Sequence, residues 1–203
     1  MLKYRNKEAK FLKSIGVVLA GGLSSRMHKD KSQLVWRGKS FIEHSYELLI
    51  EAGCVDVIVS NNDNVKCIKD RYPNCGPLAG IDACLNYIQN NIPDAEAMLI
   101  VPVDMPLMRV ELLRYLQQQA IAGSAIYYNL GRFPMILPVN NKLAMHLQNT
   151  LQQNQTGSSI SIRQLLTKLD CQVLNIDQNQ QSAFFNCNTA EQWQNLISLD
   201  NLH

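Results

Sequence analysis

The sequence predicts an α/β fold built on a mostly parallel sheet, and three features of its pattern indicate this. Short apolar runs alternate with longer segments of helical spacing along the chain. Glycine, proline or asparagine separates many of these runs from the segments that follow. No linker or internal repeat divides the 203 residues, so we expect a single domain over 1–203 with its core at about 14–196.

The first half of the chain shows this alternation most clearly. Ile15-Gly-Val-Val-Leu-Ala20 ends at two glycines and is typical of a buried parallel strand. Apolar residues at helical spacing predict a helix over 41–52, which Gly53 closes. The next predicted elements are a strand at 55–60, a candidate short strand at 66–70, a helix from Pro77 to about Gln89, a strand at 98–103 and a helix at about 109–119.

The second half carries weaker patterns of the same kind. Its predicted elements are strands at 124–129 and about 133–137, helices near 140–153 and 161–168, a strand at 171–176, an amide-rich turn at 178–181 and a final helix from about Thr189.

Composition excludes several classes of protein. The chain has 19 Lys and Arg against 17 Asp and Glu, and this near-neutral balance gives no support to a nucleic-acid or membrane-surface protein. A hydrophobic content of 46% excludes a disordered chain, and no apolar run approaches the ~20 residues of a membrane helix. The six cysteines form no C-x-x-C pair and have no histidine at metal spacing, so we expect free, mostly buried thiols and a cytoplasmic protein.

Polar residues follow three of the predicted strands, at the ends where ligands bind in an open α/β sheet. The first group is a glycine turn followed by Arg26, Lys29 and Lys31. Glycines let the backbone approach anionic oxygens, and nearby cations replace the water shell of a polyphosphate. The loop is neither G-x-x-x-x-G-K-[ST] nor G-x-G-x-x-G. A glycine turn alone would more often be structural, but the adjacent cations favour a phosphate site.

The other strand ends carry carboxylates and amides. Asp104 stands between two prolines after the most apolar strand and suits Mg²⁺, although it could instead cap a helix after Pro106. Asp70 could bind a base or ribose, or simply end a strand. Asn186 and Asn188 could line a pocket or form Asx turns.

The histidines and tryptophans favour structural interpretations. No nucleophile is partnered with His28 or His44, so no hydrolase triad is predicted. His28 lies within the cationic loop, and His44 is expected on a helix surface. Trp36 and Trp193 are expected to be packing residues.

Four segments resemble the motifs of the molybdenum cofactor guanylyltransferases, a family of nucleotidyltransferases with a GT-A-like Rossmann fold. They are Leu19-Ala-Gly-Gly-x-Ser-x-Arg26-Met-x-x-Asp30-Lys31, Gly76-Pro-Leu-Ala-Gly80, Pro102-Val-Asp104-Met-Pro106 and Phe185-Asn-Cys-Asn188-Thr189. They stand in the family's order, at similar spacing. Each is shared with sugar-nucleotide or cytidylyl enzymes, but the closing Asn-x-Asn-Thr favours the guanylyltransferase branch.

The resemblance implies a Rossmann-like three-layer α/β/α fold and a specific reaction. GMP would pass from GTP to the terminal phosphate of molybdopterin, and pyrophosphate would be released. The implied GTP contacts are Leu19, Ala20, Gly21, Gly22, Lys31, Ser60 or Asn62, Asp70 and Asp104. Asp104 would also hold Mg²⁺, and Asn186 and Asn188 would lie towards molybdopterin.

The family pattern suggests a catalytic hypothesis without a general base. The acceptor phosphate is already ionised and would attack the α-phosphorus in line, while Arg26, Lys31 and the metal on Asp104 stabilise the transferring phosphates. The expected partners are GTP, molybdopterin and, transiently, other proteins of molybdenum cofactor biosynthesis, with no nucleic acid or membrane. The alternatives are a related transferase that uses CTP or a sugar phosphate, and a non-catalytic nucleotide-binding module.

The sequence departs from the family pattern at four places. His28 stands where the family usually has glycine, Val103 where it often has cysteine, and Ala190 where it has proline. A histidine frequent near Phe133-Pro134 is absent. This last change bears more on pterin recognition than on GTP binding.

Overall fold

The computed structural model describes residues 11–21, 34–154 and 161–200. The strands are β1 (Ser14–Leu19), β2 (Val35–Trp36), β3 (Lys39–Ser40), β4 (Asp56–Ser60), β5 (Ala97–Pro102), β6 (Ala125–Tyr128), β7 (Met135–Pro138) and β8 (Cys171–Leu174). The helices are α1 (Phe41–Glu51), α2 (Pro77–Asn91), α3 (Val110–Gln119), α4 (Asn141–Asn154), α5 (Ile162–Leu166) and α6 (Ala190–Asp200), with a 3₁₀ helix at Gln178–Phe184.

Six strands form one sheet in the order β4-β1-β5-β7-β6-β8. β1 is parallel to β4 and β5, and β6 is parallel to β8, whereas β7 is antiparallel to both of its neighbours. Leu19 pairs with both Ser60 and Pro102, so β1, β4 and β5 end side by side. The mostly parallel sheet predicted from the sequence is therefore confirmed, and its central carboxyl edge is continuous.

Helices cover both faces of this sheet and give the three-layer α/β/α arrangement. Alternate residues of each strand face opposite layers: Val18 lies in the core that includes residues of α1, α3 and α6, whereas Val17 lies in the core that includes residues of α2, α4 and α5. The helix residues buried against the first face include Phe41, Leu49, Leu113 and Leu196, and those against the second include Ile81, Leu85, Leu147 and Leu165. No helix of the described residues combines the length and apolarity that crossing a membrane requires.

Three local features differ from the sequence prediction. The prediction of a short strand at 66–70 is wrong: only Ile68 bridges Ser60, because Ile68 is the one aliphatic residue of this segment, while Lys66 and Lys69 stay exposed. The turn predicted at 178–181 belongs to the 3₁₀ helix, whose end buries Ala183 and Phe184.

The third difference is a small hairpin, β2–β3, which the sequence analysis did not predict. Its turn residues, Arg37 and Gly38, have positive φ values of 51° and 78°, as expected for a tight two-residue hairpin turn. His44, expected on a helix surface, is instead half-buried, with its Nε2 atom 2.6 Å from the carbonyl oxygen of Trp36. The hairpin is thereby joined to α1.

The packing roles predicted for the tryptophans and cysteines are largely confirmed. Trp36 is buried, and Trp193 packs edge-on against Phe41. All six cysteines are free thiols, of which three are buried and three half-buried. Burial raises the pKa of both Cys54 and Cys84 to about 12, so neither is a thiolate near neutral pH.

Candidate active site

A cleft of about 380 Å³ lies where β1 and β4 end and α2 begins. This volume lies within the range of about 300–1,000 Å³ that is common for small-molecule sites. The cleft is lined by Leu19, Gly21, Ser60, Asn62, Asp63, Asp70, Asn74, Gly76, Pro77 and Gly80. Five of the residues predicted to contact nucleotide, Leu19, Gly21, Ser60, Asn62 and Asp70, are therefore brought together.

Close packing of α2 against the sheet shapes this cleft. The amide of Ala20 donates to the Ser60 carbonyl at 2.9 Å, which joins the ends of β1 and β4. A Cβ atom at Gly80 would lie only 2.7 Å from Ser60 Oγ, so glycine is the residue that lets α2 approach so closely. No side chain caps α2 at Gly76, and Gly76, Pro77 and Gly80 line the cleft from the start of this helix.

Asp70 and Asn62 form a reciprocal pair on one wall of the cleft. Asn62 Nδ2 donates to Asp70 Oδ2 at 2.8 Å, and the Asp70 amide donates to Asn62 Oδ1 at 2.8 Å. Burial raises the pKa of the Asp70 carboxyl and nearby Asp82 adds to the rise, while hydrogen bonds from Asn62 and Ser60 act against it. The pair fixes the orientation of a carboxylate in a partly desolvated position.

Asp104 lies in the turn directly after β5 and is half-buried. The preceding amide, of Val103, donates to the Leu19 carbonyl at 3.0 Å, and the Asp104 carbonyl accepts from the Cys187 amide at 2.8 Å. α3 begins only at Val110 with Arg109 as its N-cap, so the alternative that Asp104 caps this helix is wrong. The turn instead connects the end of β1 to the segment before α6.

The carboxylate of Asp104 suits a cation that takes oxygen ligands and few of them from protein. The described residues contain no group of three or more metal-ligating side chains, as a zinc site would require. Mg²⁺ usually takes one or two protein carboxylates and completes its shell with water and substrate phosphates. A single carboxylate at the edge of the sheet is compatible with that mode of binding.

A second pocket lies on the other side of the β5 end. It is lined by Met105, Leu130, Gly131, Arg132, Phe133, Gln181, Ser182, Phe184, Phe185 and Asn186. The Arg132 guanidinium is 5.9 Å from the centre of the Tyr127 ring, and among the described residues no carboxylate forms an ion pair with it. The pocket thus combines aromatic walls, amides and a positive charge.

The two predicted acceptor-side asparagines are placed differently. Asn186 lines the second pocket, and its Nδ2 donates to the Phe184 carbonyl at 3.3 Å. Asn188 is not among the lining residues; its amide donates to Gln192 Oε1 at 2.7 Å, beside the start of α6. Thr189 Oγ1 accepts from the Gln192 amide at 3.2 Å, as predicted for a residue that caps this helix.

Several predicted residues are not part of the described cleft. Ala20 is buried directly behind it, where its carbonyl accepts from Asn61 Nδ2 at 3.4 Å. Gly22, Arg26, His28, Lys29, Asp30 and Lys31 lie outside the described residues. The sequence analysis missed Arg132. The sequence signal for this residue is a positive charge next to Gly131, between two predicted strands.

Comparison with known proteins defines the class first. Residues 16–172 match the family model for a MobA-like NTP transferase domain, which covers most of the chain. The fold, with nucleotide-sized space at the carboxyl edge of the sheet, is that of a nucleotidyltransferase.

Individual relatives define the family. A molybdenum cofactor guanylyltransferase from Xanthomonas euvesicatoria pv. vesicatoria is 37% identical over 183 residues, which cover 90% of this chain and 93% of that protein. The chain belongs to the molybdenum cofactor guanylyltransferase family.

Solved structures agree on the fold. The crystal structure of molybdopterin-guanine dinucleotide biosynthesis protein A from Archaeoglobus fulgidus is 18% identical, with a TM-score of 0.71, covering 93% of this chain and 100% of that one. A Mycobacterium tuberculosis protein solved as a complex with manganese is 13% identical, with a TM-score of 0.57, covering 92% of this chain and 98% of that one.

Proposed function

We propose that this protein transfers GMP from GTP to the terminal phosphate of molybdopterin, which yields molybdopterin guanine dinucleotide and pyrophosphate. Family membership supports the reaction class. The observation that carries the assignment is the cleft of about 380 Å³ at the shared edge of β1, β4 and β5. Asp70 lines this cleft from the loop after β4, and Asp104 lies in the turn directly after β5.

Asp70 is proposed to select guanine. An ionised carboxylate only accepts hydrogen bonds, and guanine offers two adjacent donors, N1–H and the N2 amino group. Adenine and cytosine each present an unprotonated ring nitrogen at the equivalent edge, so they cannot make the same pair of bonds. Asn62 holds the Asp70 carboxylate in place by its 2.8 Å hydrogen bond.

The phosphates are proposed to lie along the backbone at Ala20 and Gly21 and towards the first turn of α2. Gly21 is exposed at the end of β1, and backbone amides at a strand end or at a helix N-terminus are suited to anionic oxygens. Arg26 and Lys31, proposed from the sequence, would neutralise charge on the leaving pyrophosphate.

Asp104 is proposed to hold Mg²⁺. When bound, the ion would offset the negative charge of the phosphates and orient them. The Asp104 turn is tethered to β1 and to the Cys187 amide, so its carboxylate is presented from a fixed backbone.

The acceptor is proposed to enter from the second pocket, with Arg132 and Asn186 as polar contacts and Asn188 near its rim. An oxygen of the acceptor phosphate forms a bond to the α-phosphorus of GTP while the bond from that phosphorus to the bridging oxygen of pyrophosphate breaks. The attacking oxygen is already ionised near neutral pH, so positioning and charge stabilisation would supply the catalysis.

The test is pyrophosphate release with molybdopterin as acceptor and GTP, CTP or ATP as donor. We expect release with GTP and Mg²⁺, and a loss of about 10²–10³-fold in Asp104→Ala. Asp94→Ala serves as control, because Asp94 is 80% exposed and pairs with Lys13 at the surface. Preference for CTP would favour the cytidylyl alternative, and binding of GTP without pyrophosphate release would favour a non-catalytic module.

The cytoplasm is the proposed location, supported by the six free thiols. GTP and molybdopterin are the proposed partners, together with transient contact with proteins that supply molybdopterin or take up the product.

A further inference from the structure

Arg71, the residue after Asp70, is bound to helix α2 by three hydrogen bonds. Its Nε donates to Asp82 Oδ2 at 2.9 Å and its Nη2 to Asp82 Oδ1 at 2.8 Å. Its Nη1 donates to Asn86 Oδ1 at 3.0 Å, one helical turn further along. This is the two-pronged geometry in which a guanidinium matches a carboxylate, and lysine cannot reproduce it.

The partner carboxylate is almost fully buried. The Asp82 side chain is 2% exposed, whereas that of Arg71 is 37% exposed. A buried carboxylate needs a charged partner, because removing the partner leaves its desolvation uncompensated. The Arg71 guanidinium is therefore held at α2, unlike a side chain in a surface ion pair that moves freely in solvent.

We propose that Arg71 is a positioning residue: its clamp on Asp82 fixes Asp70 in the nucleotide cleft and thereby sets the affinity for GTP and the preference for guanine. The inference rests on the proposed function, since it assumes that Asp70 contacts the base.

The path of the chain around Asp70 supports this role. Asp70 lies in the loop at 61–76, which meets the sheet at the bridge between Ser60 and Ile68 and at the hydrogen bond between Ser60 and Asp70. Asn62 holds Asp70 from one side of the loop, and Arg71 holds it from the other. α2 also supplies Pro77 and Gly80 to the cleft. The Arg71–Asp82 pair therefore connects the loop that carries the proposed base contact to the helix that carries the proposed phosphate contact.

The charges are consistent with the same role. Asp82 adds to the burial that raises the pKa of Asp70. Pairing Asp82 with Arg71 limits the repulsion that a second carboxylate would exert on Asp70. Arg71 therefore affects Asp70 through both its position and its electrostatic surroundings.

The experiment must separate positioning from simple stabilisation. Arg71→Met alone leaves Asp82 buried and unpaired and is expected to unfold readily, so the informative protein is the double variant Arg71→Met/Asp82→Ala. The double variant removes both charges, and the alanine at position 82 favours helix formation in α2. The matched control is Arg114→Met, since Arg114 likewise links two segments through hydrogen bonds of 3.0 and 2.6 Å to the Glu51 carbonyl, away from the cleft.

Three quantities are measured on folded protein: KM for GTP, kcat at saturating GTP, and the ratio of kcat/KM for GTP over ITP, which lacks the N2 amino group. In the double variant we expect KM to rise by about ten- to a hundredfold and the GTP preference to fall, with kcat within about threefold of wild type. Arg114→Met should leave all three unchanged. A folded double variant with wild-type KM and GTP preference would overturn the proposal, as would a loss confined to kcat.

Wild type in the same assay tests the underlying reaction separately. If wild type releases no pyrophosphate from GTP, the proposed function is wrong, and the clamp is then tested by calorimetric titration with GTP, CTP and ATP. Weaker binding of the preferred nucleotide to the double variant would support the clamp. Equal affinity, or no nucleotide binding by wild type, would reject it.

Discussion

At the scale of single residues, Asp70 is a carboxylate whose charge lowers the stability of the folded protein. Its carboxylate is fixed by Asn62 and partly buried, and this burial raises its pKa above the ordinary 3.8. The folded protein therefore holds a charge where its surroundings disfavour charge. Groups with perturbed pKa values of this kind cluster at functional sites, because stability alone would not select them.

Replacing Asp70 by asparagine is predicted to stabilise the protein while weakening GTP binding. Because the folded-state pKa is raised, ionisation of Asp70 opposes folding above that pKa, and the opposition disappears as the pH falls through it. Asp70→Asn should therefore unfold at a higher temperature than wild type at about pH 7, with a gap that closes towards about pH 4. Thermal unfolding at several pH values, with calorimetric titration of GTP, measures both effects.

Asp94→Asn is the matched control for this prediction. Asp94 is 80% exposed, so neutralising it should not raise the unfolding temperature. The prediction is contradicted if Asp70→Asn and Asp94→Asn unfold at the same temperature at neutral pH, or if the GTP affinity of Asp70→Asn is unchanged.

At the scale of elements, the contact of α2 with the ends of β1 and β4 builds the cleft. Gly80 makes this contact possible, since a Cβ atom there would meet Ser60 Oγ at 2.7 Å and Leu19 Cδ2 at 3.2 Å. Rotating the Ser60 side chain away would remove the first clash, but it would also break the hydrogen bond from Ser60 to Asp70. Helix packing and the carboxylate of the cleft are thus coupled through one hydroxyl group.

Gly80→Ala is predicted to destabilise the protein in a way that depends on Ser60. Overpacking typically lowers the free energy of unfolding by about 1–3 kcal/mol, which outweighs the gain of up to about 1 kcal/mol in helix propensity. In a Ser60→Ala background the 2.7 Å clash is absent, so Gly80→Ala should be neutral or stabilising. Urea unfolding of the two single variants and the double variant measures this coupling, and strictly additive effects would contradict it.

The elements also show which parts of the structure a sequence can reveal. The strands ending at Leu19, Ser60 and Pro102 were predictable because buried apolar runs end there at polar or glycine residues. The position of the cleft then followed from the rule that ligands bind beyond the carboxyl ends of the strands in an open α/β sheet. The β2–β3 hairpin was missed because strands of two residues carry no periodicity. The antiparallel β7 and the Arg71–Asp82 pair depend on contacts between separate segments, which no local pattern encodes.

At the scale of the whole molecule, strand order separates the two pockets. β1 lies between β4 and β5, and the cleft lined by Asp70 forms on the β4 side. β7 runs antiparallel to β5, which brings the turn at 130–133 to the same edge and forms the second pocket beyond Met105. Asp104 stands at the end of β5, between them. This arrangement suits a reaction in which two phosphorylated substrates approach the carboxylate of Asp104 from opposite sides.

If the two substrates bind in separate pockets, a substitution in one pocket should change the KM of one substrate and not of the other. Arg132 is the residue that tests this. Arg132→Ala removes the positive charge from the second pocket, and a hydrogen bond to a charged group contributes about 1.5–3 kcal/mol. KM for molybdopterin should therefore rise by about ten- to a hundredfold, while KM for GTP stays within about twofold of wild type. Arg132→Lys, which keeps the charge without the planar fork, should give an intermediate value.

The control for Arg132 is Arg163→Ala, because Arg163 is an exposed cation on α5, on the face of the sheet opposite the 3₁₀ helix that lines the second pocket. Steady-state kinetics with each substrate varied in turn measures both KM values. In Asp70→Asn the pattern should reverse, with KM raised for GTP and unchanged for molybdopterin. If Arg132→Ala instead raises KM for GTP and leaves KM for molybdopterin unchanged, the second pocket contacts GTP and is not the acceptor site.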